Sequence, residues 1–77
     1  MTLSELNEEC SLFRPEVRVR RAKGKLFLVY FNEEWEEVVR IDSRQSSVKG
    51  LTFHEWARMI DGFAWTVQAL TKVGDRT

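Results

Sequence analysis

Five cations crowd into eight residues of this chain: Arg18, Arg20, Arg21, Lys23 and Lys25. Arg18 and Arg20 alternate with Val17 and Val19, and Phe27, Val29 and Phe31 follow in the same two-residue rhythm. Cations hold phosphate oxygens and aromatic rings stack on exposed bases, each stacked base being worth about 1–3 kcal/mol with little regard to sequence. A basic block interleaved with rings is the electrostatic footprint of a polyanion site. The same residues permit a plainer reading. The charges would then keep a strand edge from aggregating, and the rings would belong to a second core shared with another subunit or with the N-terminal segment.

The other chemically capable residues form no reaction centre. His54 is the only histidine and Cys10 the only cysteine. That leaves no second imidazole for a relay or a metal, no internal disulfide and no cysteine-rich zinc site. His54 reads as a residue of a helix cap and Cys10 as a small hydrophobe. Glu33, Glu34, Glu36 and Glu37 cluster, but neighbouring acids on a strand or turn alternate faces and no other ligand type joins them. A solvated turn is the reading. No phosphate-binding glycine loop, nucleophile elbow or metal-ligand spacing is present. The chain is therefore expected to be no enzyme, with no cofactor and no metal.

The chain has 77 residues, 12 Lys+Arg against 12 Asp+Glu, and 43% hydrophobic residues. A chain this short is one domain and buries only roughly 60% of its unfolded surface, which favours a partner, most simply a second copy. The zero net charge hides a segregation: residues 14–25 carry six cations against Glu16, while residues 32–37 carry four acids and no cation. No apolar run approaches the ~20 residues of a membrane span. The start, Met1-Thr2-Leu3-Ser4-Glu5, has no basic or apolar leader character. A cytoplasmic, nucleoid or nuclear protein is expected, not a secreted one.

These residues must be positioned by a small set of elements. Residues 1–15 read as an N-terminal arm. Leu3, Leu6, Cys10 and Phe13 recur at helical steps behind a Thr2/Glu5 capping box, so the arm carries a short helix that Pro15 stops. Residues 16–23 alternate as a strand, Lys23-Gly24 is a two-residue turn, and residues 25–32 are a second, β-branched and aromatic strand. Trp35 to Asp42 alternates again, with Trp35, Val39 and Ile41 on one side, and Val48 to Leu51 adds a short fourth strand. Thr52 and Glu55 form another capping box. After it Trp56, Ile60, Phe63, Val67 and Leu70 mark one helical face, widened by Phe53, Ala57 and Ala64. Gly74 ends that helix, and Gly62 marks a close approach within it. The fold class is α+β: one domain over residues 16–73, a curved antiparallel sheet of three to four strands, then one C-terminal helix (β-β-β-β-α), dimerising, with residues 74–77 as a tail. The two-residue turn sets Ala22 opposite Lys25, Arg20 opposite Phe27 and Arg18 opposite Val29. One sheet face then carries Arg18, Arg20, Lys25, Phe27, Val29 and Phe31. The other, with Val17, Val19, Leu26, Leu28 and Tyr30, is the floor for the helix.

The run from Val17 to Leu28, with Val-Arg-Val-Arg and Lys23-Gly24-Lys25, resembles the strand-turn-strand signature of the transcriptional coactivator family called positive cofactor four. Lys49-Gly50-Leu51-Thr52-Phe53, followed by Trp56, resembles that family's connection into its helix. The likeness spans about residues 16–72. It implies a four-stranded curved sheet followed by a helix, a homodimer joined through helices and sheet edges, and single-stranded DNA bound on the paired sheets. Arg20 then corresponds to the family's sheet arginine, and Lys23 and Lys25 to the lysines about its turn glycine. The pattern departs at Ala22, where the family stacks a Phe, at Phe31, where it has an arginine, and at Glu34, with Trp35 one place beyond the family's Trp.

Two functions of different kind follow. The first is a homodimeric single-stranded-DNA-binding protein of coactivator type, in transcription, replication or repair, from a phage or bacterial relative of the family. Its contacts would be Arg18, Arg20, Lys23, Lys25, Phe27, Phe31, Trp35, Arg40, Arg44 and Lys49, and its dimer interface Trp56, Ile60, Phe63, Trp65 and Val67. The second is a small protein-binding inhibitor or adaptor of nucleic-acid machinery, using the acidic 33–37 segment and an exposed Trp. Partners are thus nucleic acid, self and transcription or replication proteins, with no membrane.

Overall fold

Helix α1, Leu3–Ser11, begins on a reciprocal cap. Thr2 Oγ1 accepts from the Glu5 N–H and Glu5 Oε1 accepts from the Thr2 N–H, both at 3.1 Å, so two otherwise unpaired groups at the helix start are satisfied. Leu6 and Cys10, one turn apart, are fully buried. The N-terminal segment is thus a helix whose inner face belongs to the core. The computed structural model describes the backbone of residues 1–75 and the side chains of residues 1–70.

Three antiparallel strands follow in spatial order β1-β2-β3: β1 Val17–Ala22, β2 Lys25–Phe31 and β3 Glu37–Gln45. Lys23 and Gly24 take φ of 52° and 76°. Two successive left-handed residues are the geometry whose twist matches a hairpin. Ala22 pairs with Lys25, Arg20 with Phe27 and Arg18 with Val29, the register that a two-residue turn demands.

The third strand departs from simple alternation. It starts at Glu37, because Asn32–Glu36 form a hydrogen-bonded loop in which Trp35 has φ 60°. Trp35 therefore does not share a strand face with Val39 and Ile41. Register shifts fall beside Val38 and at Ser43-Arg44, where the β3 chain carries residues with no β2 partner. Ser43 is buried there, and its hydroxyl donates to the Leu26 carbonyl at 2.7 Å, replacing a ladder bond that the bulge breaks. The expected fourth strand at Val48–Leu51 is instead a 3-10 turn, Val48–Gly50. Ser47 caps it from a side-chain oxygen, and the buried Trp56 indole N–H donates to the Val48 carbonyl at 2.9 Å. That bond holds the connector as a turn against the core.

Helix α2, Phe53–Asp75, opens on the second capping box, Thr52 with Glu55 at 3.0 and 3.2 Å. It runs through Gly74 instead of stopping there, and residues 76–77 of the expected tail lie outside the described residues. Trp56, Ile60, Phe63, Ala64 and Val67 pack on Val17, Val19, Leu26 and Leu28, with Leu6 and Cys10 closing one flank. Tyr30 meets Phe63 edge to face, with ring centroids 6.3 Å apart.

Three expectations change in consequence. A helix face can be buried only once. Trp56, Ile60, Phe63 and Val67 are buried against this chain's own sheet, and of the five residues expected at a dimer interface only Trp65, 67% exposed, stays open to a second copy. Leu70 is 68% exposed because α2 covers β1 and β2 and leaves a groove beside β3, lined by Val39, Ile41, Met59 and Leu70. Gly62 borders the same groove and marks no close approach: a Cβ there would meet nothing within 4 Å.

The two outer strands end differently. Asn7 of α1 lies along β1, its Oδ1 accepting from the Val19 N–H at 2.8 Å and its Nδ2 donating to the Val19 carbonyl at 2.9 Å. One side chain thus completes the backbone pairing that a neighbouring strand would provide. No strand lies outside β3 among the described residues.

Candidate nucleic-acid interface

The face of the sheet turned away from α2 is set by the hairpin register. Arg18, Arg20, Lys25, Phe27, Val29 and Phe31 share it through β1–β2 pairing, and Arg40 and Asp42 join it opposite Val29 and Phe27. Neither helix packs on this side: the core cluster contains none of these residues. Arg20 and Lys25 are exposed, and Arg18, Phe27 and Phe31 half-buried. The arginines and rings expected on one wet side are together on it.

Their arrangement is more specific than alternation could show. The Arg20 guanidinium carbon lies 5.2 Å from the centre of the Phe31 ring, and that of Arg40 lies 5.7 Å from the centre of Phe27. Arg20, opposite Phe27, reaches along the sheet past Val29 to Phe31, whereas Arg40, opposite Val29, reaches diagonally to Phe27. Val29 itself is 0% exposed, though it points away from the core cluster. The surface in its resting state is therefore a small apolar seam beneath two guanidinium groups. Such exposed cation–π pairs are worth about 0.5–1 kcal/mol each.

Two carboxylates temper the charge. Arg40 pairs with Glu37 at 2.7 Å and Lys25 with Asp42 at 3.7 Å. Arg18 and Arg20 have no carboxylate partner among the described residues. Arg18 instead donates to the Pro15 and Val17 carbonyls at 3.3 and 3.4 Å.

The remaining expected contacts are not on this face. Lys23 sits at the exposed hairpin tip, Arg44 in the bulge of β3 with φ 66°, and Lys49 in the 3-10 turn. Trp35 stands in the β2–β3 loop among the four acids. Arg21 points to the other side and donates to the Ser46 carbonyl at 3.1 Å. The residues that alternation missed are Asp42 and Glu37, whose pairing with the cations follows from a β2–β3 register that two bulges conceal.

Away from the sheet, burial pushes the Cys10 thiol up to about 11, with the neighbouring Glu9 charge adding to it. It is an inert core group, not a nucleophile. Among the described residues no three His, Cys, Asp or Glu side chains are placed to hold a metal ion. No helix among them is long and apolar enough to cross a membrane. No protein-family model matches the chain, and neither do the curated proteins or solved structures with which it was compared.

Proposed function

We propose that the protein binds single-stranded nucleic acid, DNA by preference, on the open face of its sheet, and does so as a homodimer of coactivator type. The observation that carries this reading is the grouping of Arg18, Arg20, Lys25 and Arg40 about Phe27 and Phe31 on the side that no helix covers. The face is about two strand spacings of ~4.8 Å wide, a width on which two bases stack, one on each ring. To admit them, Arg20 and Arg40 leave the rings and turn to the flanking phosphates. That forfeits about 0.5–1 kcal/mol per cation–π pair. It gains about 1–3 kcal/mol per stacked base, so the exchange favours the bound state before any phosphate contact is counted. The second copy joins along the uncovered β3 and its adjoining groove, since α2 has already spent its apolar face.

Fluorescence anisotropy with labelled oligo-dT tests the proposal. If four cations each neutralise one phosphate, affinity should drop about 50-fold between 50 and 200 mM salt, from a slope of roughly −0.7 per phosphate on single strands. Replacing Arg18 and Arg20 together by Ala should weaken all sequences alike, while Lys49→Ala, off the face, should change little. Absence of binding at low salt, or a double variant as tight as the parent, would refute it. Sedimentation should return twice the 9.1 kDa of one chain.

A further inference from the structure

The β2–β3 loop builds a second concavity at the end of the sheet. A cleft of about 780 Å³ opens where this loop, the entry to β1 and Gln68 of α2 converge. Three aromatic rings line it, Tyr30, Phe31 and Trp35, together with three carboxylates, Glu16, Glu33 and Glu34, and no Lys, Arg or His does.

The loop holds Trp35 out where a solvated turn would have no use for it. Asn32 Oδ1 accepts from the N–H groups of Glu34 and Glu36, both at 2.9 Å. Its backbone N–H donates to the Glu36 carbonyl at 3.0 Å, and its carbonyl accepts from the Trp35 N–H at 3.0 Å. So clamped, Trp35 takes φ 60° and stays 63% exposed. A left-handed backbone is unfavourable for a residue with a Cβ, and a ring left 63% exposed recovers little of that by burial.

Ring faces attract cations and carboxylates bind their N–H donors. Glu33 and Glu34 have no ion-pair partner among the described residues, whereas Glu16 already takes Arg14 at 3.5 Å and Gln68 at 3.4 Å. Two free acids beside three rings suit an organic cation. A polynucleotide would meet repulsion here. We infer that this cleft receives a lysine or arginine side chain from a basic peptide segment of a partner protein, with Trp35 as the stacking wall and Glu33 and Glu34 as its counter-charges. The inference does not rest on nucleic-acid binding, and only Phe31 belongs to both sites.

Nuclear magnetic resonance of the whole chain separates the outcomes. Its three indole N–H signals, from Trp35, Trp56 and Trp65, are assigned with Trp35→Phe. A peptide of alternating Arg and Gly should shift the Trp35 signal saturably at low salt and leave Trp56 unmoved, and the same peptide with Gln for Arg should not. Replacing Glu33 and Glu34 together by Gln should weaken binding about threefold to tenfold, as expected for two surface charge pairs. Trp35→Gly should abolish it and still fold, because glycine accepts the left-handed backbone. No shift with the Arg peptide, equal shifts with the Gln peptide, or an undiminished response in the double Gln variant would overturn the inference. Oligo-dT is followed in the same spectra through the Arg20 and Phe27 amides, so loss of either site is read without the other.

Discussion

Asn7→Ala should be among the most damaging single changes outside the apolar core. Asn7 makes two bonds to one residue, at 2.8 and 2.9 Å, and serves both polar groups of Val19. A hydrogen bond nets about 0.5–1.5 kcal/mol, and a stranded group costs about 1–3 kcal/mol where water cannot replace the partner. Val19 is 1% exposed and the two bonds from Asn7 are part-buried, so water replaces them only in part and the loss should be about 2–4 kcal/mol. A domain of this size has roughly 4–11 kcal/mol in all. The midpoint of thermal unfolding should therefore fall by about 8–30 °C, at about 4–8 °C per kcal/mol. Calorimetry gives the total, and hydrogen exchange at the Val19 amide gives the local part. Asn7→Asp divides the pair. It keeps an acceptor for the N–H but sets a carboxylate against the Val19 carbonyl, so it should fall at least as far as Asn7→Ala while protecting the amide better. An Asn7→Ala protein within about 0.5 kcal/mol of the parent, with unchanged Val19 exchange, would show that α1 closes this edge by packing alone.

Two further outcomes follow from local chemistry. Gly62→Ala should stabilise the chain by about 1 kcal/mol, the helix-interior difference between the two residues, because the new methyl meets nothing within 4 Å; a lower melting temperature would show that the groove beside β3 is already filled. Hydrogen bonds from the Thr2 and Thr52 backbone, then from their side chains, hold Glu5 and Glu55 below the ordinary carboxylate range. A depressed folded pKa gives stability that is present above the unfolded value and lost as pH falls through the folded one. Unfolding midpoints should therefore decline on acidification below about pH 4.5, and Glu55→Gln should flatten that decline; an equal slope in both proteins would remove the capping box as its source.

Much of the open face was legible because one short turn fixes it. Once Lys23-Gly24 is a two-residue turn, the partners of Arg18, Arg20 and Ala22 follow, and alternation sorts the rest of β1 and β2 onto two sides. The capping boxes were legible too, since both members of each lie within four residues. What failed was non-local or irregular. Alternation cannot foresee that Ser43 and Arg44 leave the ladder, and it carried Trp35 into a strand that the Asn32 clamp excludes. The helix face was read correctly, but its use was not. Periodicity marks what α2 buries, and only the sheet in three dimensions shows that β1 and β2 exhaust that face while Leu70 overhangs. The role of Asn7 had no local signal, because its partner lies 12 residues away on an element of different period.

If the open face binds as proposed, the guanidinium groups of Arg40 and Arg20 over Phe27 and Phe31 would compete with any ligand for the rings. A bare anion can draw Arg20 or Arg40 off a ring, but it leaves that ring wet. A bare hydrophobe finds the ring already occupied. On the function proposed above, only a molecule that brings negative charge and a flat apolar plane at once would answer both, and the surface would work as a coincidence gate. The same arrangement lays charge over two half-buried phenylalanines on a side of the sheet that neither helix covers.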